Sequence, residues 1–197
     1  MANLKQSLIE VEDCVLIIID IQDDFLKKIA PDKADLLINR VGWLMEIARI
    51  LNVPMVVTAE ETERLSGFLP ALAEKAPPGT PIFNKMVFGL AGQPEILQAI
   101  QQSGRKTAVL VGLETDVCVA QSAIGLLQHG FAVVAISDAT DSPGDAHAAG
   151  LERMKAAGVL VTSLKGVYYE WIRTVEMSNF IEREHGERIG KPGGIIL

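Results

Sequence analysis

The chain has 197 residues, 49% of them hydrophobic, and 18 basic against 25 acidic residues give a formal net charge of -7. That size suits one domain with a substantial core. The acidic balance without a basic run argues against a nucleic-acid partner, and no apolar run reaches the roughly 20 residues needed to span a bilayer.

The N-terminal stretch MANLKQSLIEVED carries polar residues every few positions and does not read as a signal peptide. The first continuous apolar run is Cys14 to Ile19, ending in Asp20. Ala34 to Ala48 repeats apolar residues at helical spacing, and Val53 to Thr58 is the second strand-like run. Thr62 to Pro81 is richer in proline and glycine and reads as an excursion on the rim. Pro81 to Phe83 is a third, shorter strand, followed by a helix over Pro94 to Gln102. Thr107 to Val111 is the fourth strand, with Gly112 serving the turn out of it. A helix over Val117 to His129 then stops at Gly130. Ala132 to Ile136 is the fifth strand, Asp145 to Ala157 a helix closed by Gly158, and Val159 to Thr162 the sixth strand. One long helix is expected from about Gly166 to His185. The tail GKPGGIIL is not helical, and its three apolar residues dock on a neighbouring subunit or on the domain itself. Short continuous runs alternating with helices predict an α/β fold: a parallel sheet covered by helices on both faces.

Ligands of such sheets bind beyond the carboxyl ends of the strands. Asp20, Gln22 and Phe25 follow the first run, Glu60 the second, Lys85 the third, and Glu114 and Cys118 the fourth. With Thr115 or Asp116 as N-cap, Cys118 lies in the first turn of a helix, whose free N–H groups favour a thiolate and an oxyanion. Lys85 would lower the thiol pKa, and Asp20 would take its proton and later activate water. A buried core thiol remains the alternative for Cys118, and it is the favoured reading for Cys14. Two cysteines are too few for a disulfide framework and fit a reducing, cytoplasmic compartment. There is neither a GxGxxG nor a GxxxxGK[ST] pattern, so no nucleotide cofactor is expected. His129, His147 and His185 share no ligand spacing, so no metal is expected either. Glu60, Glu61 and Glu63 read as a solvated face, and His147 stands near the sheet edge at the start of a helix.

LIIIDIQDDF, FNKMVFG and VGLETDVCVAQSA, in that order, resemble the isochorismatase-like cysteine hydrolase superfamily, which includes nicotinamidases and carbamoylsarcosine hydrolases. The resemblance runs from about Cys14 to Tyr169. It implies a single domain over residues 1–197, Rossmann-like, with three α-β-α layers around a six-stranded parallel sheet ordered 3-2-1-4-5-6. It implies Asp20 as acid/base, Lys85 as charge partner and Cys118 as nucleophile. A covalent thioester-type intermediate would form on a small amide-like substrate. It further implies a cis peptide at Leu113–Glu114, an oxyanion hole from the N–H groups of Glu114 and Cys118, and homo-oligomers of two, four or more copies. Gln22, Phe25, Glu60, Phe88, Leu90 and His147 are the expected pocket residues, with Tyr168 or Trp171 as further walls. VVTAEETERLSG has no histidine, which argues against the metal cluster of nicotinamidases. The glutamates disfavour a strongly anionic substrate. The rival readings are a vinyl-ether hydrolase, a thiol redox sensor without a CxxC pair, and a non-catalytic scaffold.

Overall fold

The computed structural model describes residues 7–197; the start of the segment considered as a signal peptide, Met1 to Gln6, lies outside them. The strands are β1 (Cys14–Ile19), β2 (Met55–Glu60), β3 (Ile82–Lys85), β4 (Thr107–Leu113), β5 (Ala132–Asp141) and β6 (Leu160–Thr162). All neighbours pair in parallel, and the order is β3-β2-β1-β4-β5-β6.

Every residue of β1 is buried, and its side chains alternate between two cores. Cys14, Leu16 and Ile18 join one core; Val15, Ile17 and Ile19 join the other. A strand with an apolar layer on each face needs apolar residues at every position, hence its unbroken hydrophobic run. The helices are α1 (Asp23–Leu26), α2 (Pro31–Ile50), α3 (Pro70–Ala73), α4 (Pro94–Gln102), α5 (Ala120–Gln128), α6 (Ala146–Ala157), α7 (Leu164–Ile172) and α8 (Val175–Ile189). Residues of α2 and α7 fill the first core, and those of α4, α5 and α6 the second.

Five expectations are corrected. The single C-terminal helix is two, because Arg173 adopts a left-handed backbone (φ 62°) between α7 and α8. Ser163 caps the first by accepting from the Gly166 N–H, and Thr174 caps the second by accepting from that of Met177. The helix expected from Val117 begins instead as a π-helical turn over Thr115–Val119. Its N-cap is Glu114, which makes no side-chain cap bond, so neither Thr115 nor Asp116 holds that position. Gly112 lies within β4, not in a turn after it. Its φ is 119°, and a Cβ there would stand 2.0 Å from the Ile19 carbonyl oxygen, so only glycine fits this approach of β4 to β1. Tyr168 and Trp171, expected as further pocket walls, are buried in the first core, where Tyr168 packs edge-on against Trp43 at 4.9 Å.

The rim excursion folds back onto the body through buried Phe68 and Leu72. The tail docks on its own domain: Gly193 accepts from Arg40 Nε at 2.9 Å, Ile196 accepts from Lys165 at 2.6 Å, and Ile195 and Leu197 pack against the first core.

Candidate active site

β1 and β2 are adjacent, and each leaves the sheet through a left-handed residue, Asp20 (φ 49°) after β1 and Glu61 (φ 45°) after β2. Such a backbone is costly for a non-glycine residue, and the surrounding contacts must hold it. At Asp20 the N–H donates to the Thr58 carbonyl at 3.2 Å, and the Thr58 hydroxyl donates to Oδ1 at 2.8 Å. β3 brings Lys85 into register directly beside Glu60. The turn after β4 brings up Cys118, and the Leu113–Glu114 peptide that precedes it is cis.

These four side chains converge. The Lys85 ammonium stands 3.0 Å from Asp20 Oδ2, donates to Glu60 Oε2 at 2.9 Å and to the Val87 carbonyl at 2.8 Å, and reaches Cys118 Sγ at 3.5 Å. The Cys118 thiol donates to Glu60 Oε2 at 3.4 Å. Asp20 and Lys85 are fully buried, Cys118 is 3% exposed, and the Glu60 side chain is 17% exposed. Donor atoms of Asp20, Glu60 and Cys118 lie within 4.8 Å of one another, and the cation among them is the Lys85 ammonium.

Burial sets the titration of the cluster. It pushes the Asp20 carboxyl above its ordinary value, although Lys85 and the Thr58 hydroxyl pull the other way. It also opposes the Lys85 charge, but Asp20, Cys118 and Glu60 outweigh it, and the lysine is held above its usual range. The expected lowering of the Cys118 pKa is corrected: burial, then Asp20 and Glu60, push the thiol up, and Lys85 only offsets part of this. Burial and the two carboxylates therefore favour the neutral thiol, and the lysine at 3.5 Å opposes them.

The remaining expected site residues scatter. Gln22 is fully buried and clamps the Glu60 backbone, accepting from its N–H at 2.6 Å and donating to its carbonyl at 2.9 Å. Phe88 is 54% exposed, with its ring centroid 5.9 Å from Lys85 Nζ. Leu90 is fully buried in the second core. Phe25 is buried in the first core, with Lys28 4.4 Å above its ring, and the same Lys28 pairs with Glu114 at 2.9 Å. His147 lines a separate cavity of about 270 Å³ between α2 and the end of β5, and its Nδ1 meets the Thr115 hydroxyl at 2.9 Å. Sequence reasoning put Glu60 on a pocket wall and missed its contact with Cys118. The signal available was its position at the end of a strand one place from β1, where a parallel register sets it beside Lys85.

Four likenesses agree with this architecture. The isochorismatase domain family matches residues 14–165. Isochorismatase family protein 2A of Dictyostelium discoideum is 31% identical over 167 residues, covering 81% of this chain and 82% of that protein. The MAR1 ribonuclease of Caenorhabditis elegans superposes with a TM-score of 0.81 at 25% identity, covering 97% of this chain and 98% of that one. YcaC of Escherichia coli, described as an octameric hydrolase of unknown specificity, does so with a TM-score of 0.80 at 23% identity over 92% of each chain. With the six-stranded order and the residue match together, the chain belongs to the isochorismatase family.

Proposed function

We propose that this protein is a cysteine hydrolase that cleaves a C–N bond of a small amide-like substrate through a thioester on Cys118. The observation that carries the reading is the contact of one buried thiol with both a lysine, at 3.5 Å, and a carboxylate, at 3.4 Å. A structural core thiol has no use for two ionised neighbours, whose burial is costly. A redox role is disfavoured because Cys14, the only other thiol, opens β1 at the far end of the strand from Asp20.

In this reading Sγ attacks the carbonyl carbon as its proton passes to a carboxylate of the cluster. The N–H groups of Glu114 and Cys118, at the start of the turn, face the developing oxyanion. The amine leaves with that proton, and water, deprotonated by the same carboxylate, releases the acid and restores the thiol. Lys85 stays charged throughout and offsets the negative charge wherever it resides.

The test is a panel of small amides, hydroxamates and carbamoyl compounds followed for a burst of released amine. A burst in the wild type that vanishes in Cys118→Ala is expected, with neutral and cationic substrates ahead of dianionic ones. Equal turnover by Cys118→Ala would refute the covalent route.

A further inference from the structure

The cluster holds two carboxylates beside one ammonium and one thiol. One carboxylate suffices to take the thiol proton, and Asp20 has the free atom for it. Its Oδ2 accepts no hydrogen bond, and a carboxylate oxygen of Asp20 lies within 4.8 Å of Cys118 Sγ. Glu60 is surplus to that transfer, and it is placed differently. Asp20 and Lys85 are fully buried and Cys118 is 3% exposed, whereas the Glu60 side chain is 17% exposed. Lys85 and Cys118 both donate to Glu60 Oε2; among the described residues nothing donates to Oε1, which is open to solvent. The residue is also fixed at its base, its backbone N–H and carbonyl both bonded to the buried side chain of Gln22. The exposed ring of Phe88 borders the same ammonium, with its centroid 5.9 Å from Lys85 Nζ.

We infer that Glu60 is a specificity residue, whose Oε1 selects substrates that carry a cationic group, an ammonium or a guanidinium, close to the scissile carbonyl. This rests on the hydrolase reading and narrows its substrate to cationic amides. The physical reason is charge. With the thiol neutral, two carboxylates against one ammonium leave one negative charge in excess, and Glu60 is the member of the cluster that meets solvent. An unbalanced charge in a partly desolvated site is costly, and an incoming cation offsets it. A neutral amide leaves the excess in place, and an anion adds to it. Oε2 of the same carboxylate stands 3.4 Å from the sulfur, so a group bonded to Oε1 lies within a few bonds of the carbon that the sulfur attacks. The Phe88 ring gives such a cation an aromatic face at the mouth of the site. Gln22 acts through Glu60 by fixing its backbone.

Two reagents that attack the same sulfur and differ in charge test this without a known substrate: cationic aminoethyl methanethiosulfonate and anionic sulfonatoethyl methanethiosulfonate. The parent protein is the full chain with Cys14→Ala, which leaves Cys118 as its one thiol. Labelling is followed by intact mass, and each rate is divided by that of free β-mercaptoethanol. The ratio of the two rates cancels the reactivity of the thiol itself and reports the charge that the reagent meets. The parent should favour the cation about tenfold or more, and Glu60→Gln should remove about that factor. Glu60→Asp should keep the preference. Glu61→Gln, which removes the neighbouring carboxylate paired with Arg64 at 2.6 Å, should change the ratio by less than about twofold. A preference that survives Glu60→Gln, or falls equally in Glu61→Gln, overturns the assignment. A parent ratio near one, or no labelling by either reagent, overturns it whether or not Glu60→Gln folds. Hydrolysis is scored separately on β-alaninamide, butyramide and succinamate, which match in length and are cationic, neutral and anionic. The cationic amide should lead in kcat/KM. Butyramide turned over equally well would fault this inference alone; a Glu60-dependent labelling ratio without turnover of any amide would fault the hydrolase reading alone.

Discussion

Two buried cysteines lie toward opposite ends of β1, Cys14 opening that strand and Cys118 on the turn after β4, and they differ in almost everything else. At the amino end, Cys14 donates to the Glu10 carbonyl at 3.2 Å among core side chains, and burial pushes its pKa up to about 12. At the carboxyl end, Cys118 is pushed up as well, yet it touches a lysine and a glutamate. Burial is therefore common to both thiols; the charged partners set Cys118 apart. The ionic clusters differ in the same way. Near the carboxyl edge one buried lysine serves two carboxylates and a thiol. On α2, Glu46 is shared by Arg49 at 2.7 Å, Arg188 at 2.5 Å and Lys75 at 3.7 Å, which ties α2 to α8 and to the rim excursion. The first cluster surrounds a thiol, whereas the second only joins elements.

Removing the central cation breaks this contrast most severely. Lys85→Met leaves two carboxylates facing each other with Asp20 fully buried, and should cost about 3–5 kcal/mol of stability by denaturant midpoint. It should also slow iodoacetamide labelling of Cys118 about a hundredfold, because the sulfur loses its counter-charge. Retained labelling would return Cys118 to the core-thiol class.

An intermediate effect is expected at Glu46. Burial opposes its charge, but Arg188, Arg49 and Lys75 outweigh this and hold its carboxyl below the ordinary value of 4.5. A carboxyl whose folded value lies below its unfolded one adds stability that is complete above the unfolded value and is lost as pH falls through the folded one. Glu46→Gln should thus cost about 1–3 kcal/mol at neutral pH. Its melting temperature should converge on that of wild type below the folded value of Glu46. Labelling of Cys118 should not change. A gap that persists undiminished in acid would show that packing, not charge, gives Glu46 its value.

The smallest change is at the amino end. Cys14→Ala removes one buried sulfur from the first core and should cost about 1 kcal/mol, with Cys118 labelling and turnover unaltered. Altered turnover would mean that the two ends of β1 are coupled.

Much of this was legible in the chain. β1 reads directly because a strand buried on both faces needs Cys14 to Ile19 to be apolar without a break. Asp20, Lys85 and Cys118 stand out because each follows or ends such a run, and all carboxyl ends of a parallel sheet share one edge. Glu60 was less visible, since three glutamates in a short stretch look like a solvated face until the register sets one beside Lys85. The break at Arg173 was hidden because apolar residues continue at helical spacing on both sides, while the guanidinium is drawn off to Glu10 at 2.8 Å and to the Ile9 carbonyl. His147 lies near the edge in sequence, but its ring is turned to Thr115 and to a different cavity.

The sequence by itself determined the alternation of strands and helices and which thiol follows the fourth strand at the carboxyl edge of the sheet. These depend on periodicity and on residue order, which are local properties. Only the tertiary structure decided that burial pushes the thiol pKa up, that Glu60 touches it, and that the apolar tail covers its own domain. Those outcomes depend on distances of a few ångströms between separate elements and on how much water burial removes. Coulomb energies and desolvation vary with both, and neither is written along the chain.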